Sequence, residues 1–127
     1  MRVGFVAGAF DLLHAGHIHL LKQCKKNCDY LIVGLHADPS LERNSKNKPI
    51  ESLLERQIKL SGCKYVDNFV VYEKEKDLSL IFNYFKVDVR FLGSDYKDGK
   101  PITEPDAIPI IYIDSLDIHT SEIRRRL

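Results

Sequence analysis

Residues 8–20 read G-A-F-D-L-L-H-A-G-H-I-H-L, and this stretch decides the fold. It follows an unbroken apolar run, residues 3–7, and leads into apolar positions at helical spacing, so it occupies a strand-to-helix turn. In open parallel α/β sheets, ligands sit beyond the carboxyl ends of the strands. There the following helix offers unpaired N–H groups and the positive end of its dipole. An anion is the expected guest. Gly8 and Gly16 lack a Cβ, which permits close approach of a ligand or a positive φ. His14 and His17 share one side of the first helical turn and can present ring N–H groups to phosphate oxygens. The competing readings are His14 as a helix-capping or surface histidine with Asp11 as an ordinary turn residue, and a metal triad of Asp11, His14 and His17, since His and carboxylate are common ligands. The sequence shows no further partners to orient such ligands.

The rest of the chain fits a small-molecule site. At 127 residues and 44% hydrophobic content it makes one domain with a real core. With 19 basic against 18 acidic residues, net +1, a nucleic-acid binder driven by bulk charge is excluded. No apolar run reaches the length of a membrane span, and no signal pattern opens the sequence, so no membrane partner and a cytoplasmic location are expected. Cys24, Cys28 and Cys63 are an odd count and are expected as free thiols, the first two as small buried hydrophobes.

Along the chain, residues 3–7 predict a central strand buried on both faces. Residues 16–26 predict a helix with Leu20, Leu21 and Cys24 inward, Lys22, Lys25 and Lys26 outside, and His19 facing solvent. Residues 29–35 are a second buried strand, which completes a right-handed βαβ unit and leaves Asp38 on the ligand rim. Residues 41–49 are the most polar stretch, with Arg43, Lys46 and Lys48. They read either as a solvated loop or as a basic lid over a phosphorylated substrate. Leu53, Leu54, Ile58 and Leu60 predict a helix capped near Gly62. A third strand in the second half of residues 64–72, a helix over 77–86, strands over 87–92 and 108–113, and a final turn and helix over 115–127 follow. Five strands alternating with helices indicate a doubly wound, Rossmann-like α/β sheet.

The string G-x-F-D-x-x-H-x-G-H resembles the signature of the nucleotidyltransferase family that includes glycerol-3-phosphate, phosphocholine and phosphoethanolamine cytidylyltransferases and the sugar-phosphate adenylyltransferases. The resemblance implies strand order 3-2-1-4-5 and a nucleotide framed by Gly8, Ala9, Phe10, Asp11 and Gly16. In K-Y-V-D, Lys64 stands where the family carries a phosphate-contacting arginine, keeping the charge and losing the bidentate fork. Arg56 matches a basic helix position of the family. G-S-D-Y, residues 93–96, is similar to a family stretch whose Gly93 and Asp95 equivalents frame the nucleotide. Residues 118–124, I-H-T-S-E-I-R, resemble a motif in which Ile118, Thr120, Ser121 and Arg124 hold the triphosphate, or Thr120 and Ser121 simply cap a helix. Asp114 and Asp117 depart from the cytidylyltransferase pattern, which has arginine and glycine there.

The implied reaction is attack of a small alcohol's phosphate on the α-phosphorus of a nucleoside triphosphate, with pyrophosphate leaving. His14 and His17 stabilise the triphosphate, Lys46 acts with them, and Asp38, Lys46 and Lys48 bind the acceptor. Mg²⁺ bridges phosphate oxygens, through Asp11 or water. CTP with glycerol 3-phosphate is the first expectation, and ATP with a sugar phosphate is the alternative. Lys48-Pro49, residues 93–96 and Ile123-Arg124 resemble the adenylyltransferases. A nucleotide-binding module with weak turnover is the rival of another class. By family analogy the protein is a homodimer.

Overall fold

The computed structural model describes residues 1–94, 108–114 and Arg125. Five parallel strands, β1 (Val3–Gly8), β2 (Tyr30–His36), β3 (Asn68–Tyr72), β4 (Val89–Gly93) and β5 (Ile110–Ile113), form one sheet in the order β3-β2-β1-β4-β5. Helices α1 (Ala15–Lys26), α2 (Leu53–Ser61) and α3 (Leu78–Phe85) lie in the connections. The expected topology is observed, with β1 and β4 adjacent where the order reverses.

Because β1 and β2 are buried on both faces, successive side chains feed two separate cores. Val6, Val33 and Phe91 pack with Leu21 and Cys24 of α1 and Leu60 of α2. Phe5 and Ile32 pack on the opposite face with Leu78 and Phe82 of α3. Phe5 meets Phe82 edge-on, ring centroids 4.8 Å apart, a favoured aromatic geometry. Gly34 makes room for this core, since a Cβ there would lie 2.4 Å from Phe5 Cζ. Cys24 is buried and Cys28 half-buried, and all three cysteines are free. Burial pushes the Cys24 thiol up to about 12, so it packs as a neutral hydrophobe, as expected.

Helix α2 departs from its sequence reading. Its boundaries agree, with Ser52 and Glu55 forming a reciprocal capping box, but Leu54 and Ile58 are 66% and 61% exposed. The inward face is Leu53, Arg56 and Leu60, with Arg56 only 2% exposed. A charged residue on the buried stripe shifted the apolar pattern, and its partners, given below, explain its position. Strand β4 starts two residues later than expected, because Lys86 ends α3 in the left-handed region at φ 54° and Val87 N–H still bonds Phe82 O. Among the described residues no helix is long and apolar enough to cross a membrane.

Candidate active site

The turn between β1 and α1 is held in an unusual backbone shape. Phe10 and Leu12, not a glycine, carry positive φ of 49° and 50°, a conformation that costs an L-residue roughly 1–2 kcal/mol. Gly8 does not adopt positive φ; its use is space, because a Cβ there would lie 3.1 Å from the Phe10 ring. Phe10 is buried in the core, and Leu12 N–H donates to Glu51 Oε1 at 2.6 Å, so packing and a charge-assisted hydrogen bond offset the strain.

His14 caps α1. Gly16 N–H donates to His14 Nδ1 at 3.0 Å, and His14 N–H donates to His17 Nδ1 at 3.2 Å, a capping box built from two imidazoles. Each Nδ1 is an acceptor, so in the neutral ring the proton sits on Nε2. The rings stack with centroids 3.9 Å apart, and Phe10 lies against His17 at 5.4 Å. Burial, reinforced by the neighbouring His14 and opposed by Asp11, pulls the His17 pKa down to about 4. At neutral pH His17 is therefore an uncharged donor at the positive end of α1. Gly16 is buried within the same first turn.

Asp11 is only 6% exposed. Its Oδ2 accepts Ile50 N–H and its Oδ1 accepts Glu51 N–H, both at 2.9 Å. That engagement gives Asp11 a structural task, anchoring residues 50 and 51 to the turn, and leaves one lone pair on each oxygen beyond the main-chain bonds. The imidazole Nδ1 atoms are likewise committed to the backbone, so the Asp11–His14–His17 metal triad is not formed by those atoms.

Arg56 reaches from α2 to the carboxyl ends of β1 and β2. Its Nη1 donates to Ala9 O at 3.2 Å and His36 O at 2.8 Å, and its Nη2 to Ala37 O at 2.6 Å. Burial lowers its pKa, while Asp11, Asp38 and Glu51 oppose that shift. A cavity of about 400 Å³ opens beside it, lined among others by Asp38, Lys48, Ile50, Ser52, Glu55 and Arg56. Asp38 is held below the usual carboxylate range, chiefly by the Ser40 hydroxyl, whose main-chain N–H it also caps. The structure thus brings Asp38 and Lys48 together; Lys46 is exposed on the same loop and does not line the cavity.

Gly93 ends β4 two residues beyond the Val6–Phe91 pair, as Gly8 ends β1, so both stand on the carboxyl rim of the sheet. Lys64 does not. It precedes β3, which pairs from the amino-terminal half of β2, and it lies over the Tyr65 ring at 5.2 Å. In a parallel sheet that is the edge opposite Gly8, so within one protomer Lys64 does not share the carboxyl rim with Gly8 and Gly93. Asp95, Ile118, Thr120, Ser121 and Arg124, with Asp117, lie outside the described residues. Asp114 follows β5 and is exposed. Glu51 was not among the expected site residues, and Arg56 only as a family position. A basic residue on the inward stripe of α2 was the available signal for Arg56; no local pattern marks Glu51.

Residues 5–126 match the family described as Cytidylyltransferase-like. The bifunctional protein HldE of Acidiphilium cryptum is 41% identical over 96 residues, which are 75% of this chain and 20% of that protein. The protein of the same name from Campylobacter concisus is 39% identical over 108 residues, 84% of this chain and 22% of that protein. The chain spans about a fifth of the length of these curated relatives. The crystal structure of a lipopolysaccharide core biosynthesis protein from Thermoplasma volcanium matches with a TM-score of 0.75 and 30% identity, over 92% of this chain and 99% of that one. With a sheet of order 3-2-1-4-5 and a match over nearly its whole length, the chain belongs to the cytidylyltransferase-like family of nucleotidyltransferases.

Proposed function

We propose that this protein transfers an adenylyl group from ATP to the phosphate of a sugar phosphate. The observation that carries the reaction class is the pair of stacked imidazoles at the amino end of α1, with His17 kept neutral and both Nδ1 atoms accepting main-chain N–H. A phosphate oxygen of the acceptor forms a bond to the α-phosphorus as the bond from that phosphorus to the bridging oxygen breaks, and pyrophosphate departs with that electron pair. The attacking phosphate is already ionised at neutral pH, so no general base is required. Catalysis reduces to positioning and to donors aimed at developing charge. His14 and His17 supply Nε2–H donors, Gly8 and Gly93 let the nucleotide approach the rim, and Lys48 with Asp38 serves the acceptor in the adjoining cavity. Mg²⁺ would be held by triphosphate oxygens and water, where it would neutralise charge; no side chain at the turn is assigned to it.

The relatives favour the sugar phosphate. Their names, HldE and a lipopolysaccharide core biosynthesis protein, agree with the stretches at Lys48-Pro49 and residues 93–96 that resemble sugar-phosphate adenylyltransferases. The first expectation, CTP with glycerol 3-phosphate, leaned partly on Tyr65-Val66-Asp67. Asp67 is occupied structurally: it bonds Leu31 N–H and pairs with Lys25 at the opposite edge of the sheet. A homodimer is part of the same proposal, supported by the family resemblance and by the exposed Leu54 and Ile58 on α2.

The test is a thermal-shift comparison of ATP and CTP with Mg²⁺, followed by pyrophosphate release across sugar phosphates and glycerol 3-phosphate. Selective binding stabilises by mass action, so ATP is expected to raise the melting temperature more than CTP. Stabilisation by CTP alone, with release only from glycerol 3-phosphate, would return the first expectation. Binding without release from any acceptor would favour the weak-turnover module.

A further inference from the structure

The basic segment over residues 43–49 is tied down at both ends, to two different parts of the rim. At its start, Glu42 Oε1 accepts from His36 Nε2 at 2.9 Å, and both Glu42 oxygens accept Glu75 N–H. Arg43 adds an ion pair to Glu75 at 2.7 Å. His36 Nε2 also lies 3.1 Å from Glu73 O, an acceptor, so this nitrogen carries its hydrogen. His36, Glu42 and Glu75 cluster closely enough to suggest a metal site, but a protonated Nε2 and the arginine partner already satisfy them. At the far end, Asp11 receives Ile50 N–H and Glu51 N–H, while Glu51 returns a bond to Leu12 N–H and pairs with Lys59 at 2.6 Å. The far tie is therefore reciprocal. Two buried or nearly buried carboxylates each satisfy main-chain donors of the other's segment.

We propose that Asp11 and Glu51 are positioning residues: they fix the lysine-bearing segment to the turn between β1 and α1, and so set where Lys48 meets the acceptor's phosphate. The proposal rests on the functional reading above for the identity of that phosphate, not for the tie itself. Its energetic basis is local. Removing one acceptor takes its partner from a part-buried main-chain N–H, and a misplacement near 1 Å can cost about a hundredfold in rate. The imidazole pair keeps bonds of its own within residues 14–17 that survive loss of either carboxylate, while Asp11 reaches His17 only through its charge. Loss of the tie should therefore weaken acceptor phosphate far more than nucleotide.

The experiment compares Asp11→Asn, Glu51→Ala and Glu51→Gln with the unaltered protein by amide hydrogen exchange and by titration with inorganic phosphate and with ATP. Asp11→Asn should speed exchange at Ile50 and Glu51 by about tenfold or more, with β2 amides unchanged. Glu51→Ala should do the same at Leu12. Both should weaken inorganic phosphate by about tenfold and ATP by less than about threefold. Glu51→Gln keeps an oxygen for Leu12 N–H and should restore most of the phosphate affinity. Unchanged exchange, unchanged phosphate affinity, or an equal loss for both ligands with exchange rising throughout the sheet would each overturn the proposal. If Asp11→Asn does not fold, the Glu51 pair decides alone. A wild-type protein that releases no pyrophosphate from any acceptor would sink the adenylyl-transfer reading, while these measurements would still judge the tie.

Discussion

His17 stacks on His14 with ring centroids 3.9 Å apart, and each ring's Nδ1 takes a main-chain N–H of the same helical turn. The pair is thus oriented before any ligand arrives, with the remaining ring nitrogens as donors. His17→Ala should lower turnover by about a hundredfold or more, the usual loss for one donor of this kind. A fall of less than about tenfold in pyrophosphate release would remove His17 from the catalytic set.

The depressed pKa of His17 also links stability to pH. The unfolded chain titrates this group near 6.5 and the folded protein near 4, because burial and His14 disfavour the charged ring. Between those values the unfolded state binds more protons, so the contribution is fully present above about pH 6.5 and is lost as pH falls toward 4. Its size is at most roughly 3.5 kcal/mol. Urea unfolding of wild type and His17→Gln at pH 7 and pH 4.5 should show a steeper acid loss in the wild type. Parallel losses would show that the ring is not held neutral.

The strands and the doubly wound class were legible because the strands are short unbroken apolar runs separated by helical periods, while the strand order came from the family resemblance. The imidazole pair was legible for the same reason: three-residue spacing at a helix start is local. What stayed hidden is long-range and polar. Asp11 finds Ile50 and Glu51 about 40 residues away, and no periodicity encodes that pairing. That Lys64 lies at the amino edge was legible, since a residue just before a parallel strand belongs there; its expected nucleotide contact came from the family likeness alone.

Arg56 joins three carbonyl oxygens at the ends of β1 and β2 with a planar fork that no other side chain reproduces. Arg56→Met should destabilise the fold by about 2–4 kcal/mol, since one buried and two part-buried acceptors lose their donor. Arg56→Lys should recover only part, because one ammonium cannot match the spread of the guanidinium. Chemical denaturation reads both. A Met variant within about 0.5 kcal/mol of wild type would show that water or neighbouring donors replace the arginine.

Lys48 and Lys64 provide a paired test of which edge of the sheet does chemistry. Lys48 lines the cavity beside Asp38, whereas Lys64 sits over Tyr65 on the far side. Exposed single charges on a surface distant from the site usually change little. Lys48→Ala should therefore raise the acceptor KM by about tenfold or more, as loss of a charge-assisted contact to phosphate does, while Lys64→Ala leaves both KM values within about twofold. Steady-state kinetics with ATP and a turned-over sugar phosphate measure the two together. A large nucleotide KM effect at Lys64 in a protein that sediments as a dimer would mean that this lysine serves the other protomer's site, and in a monomer it would overturn the placement of the site on the carboxyl rim.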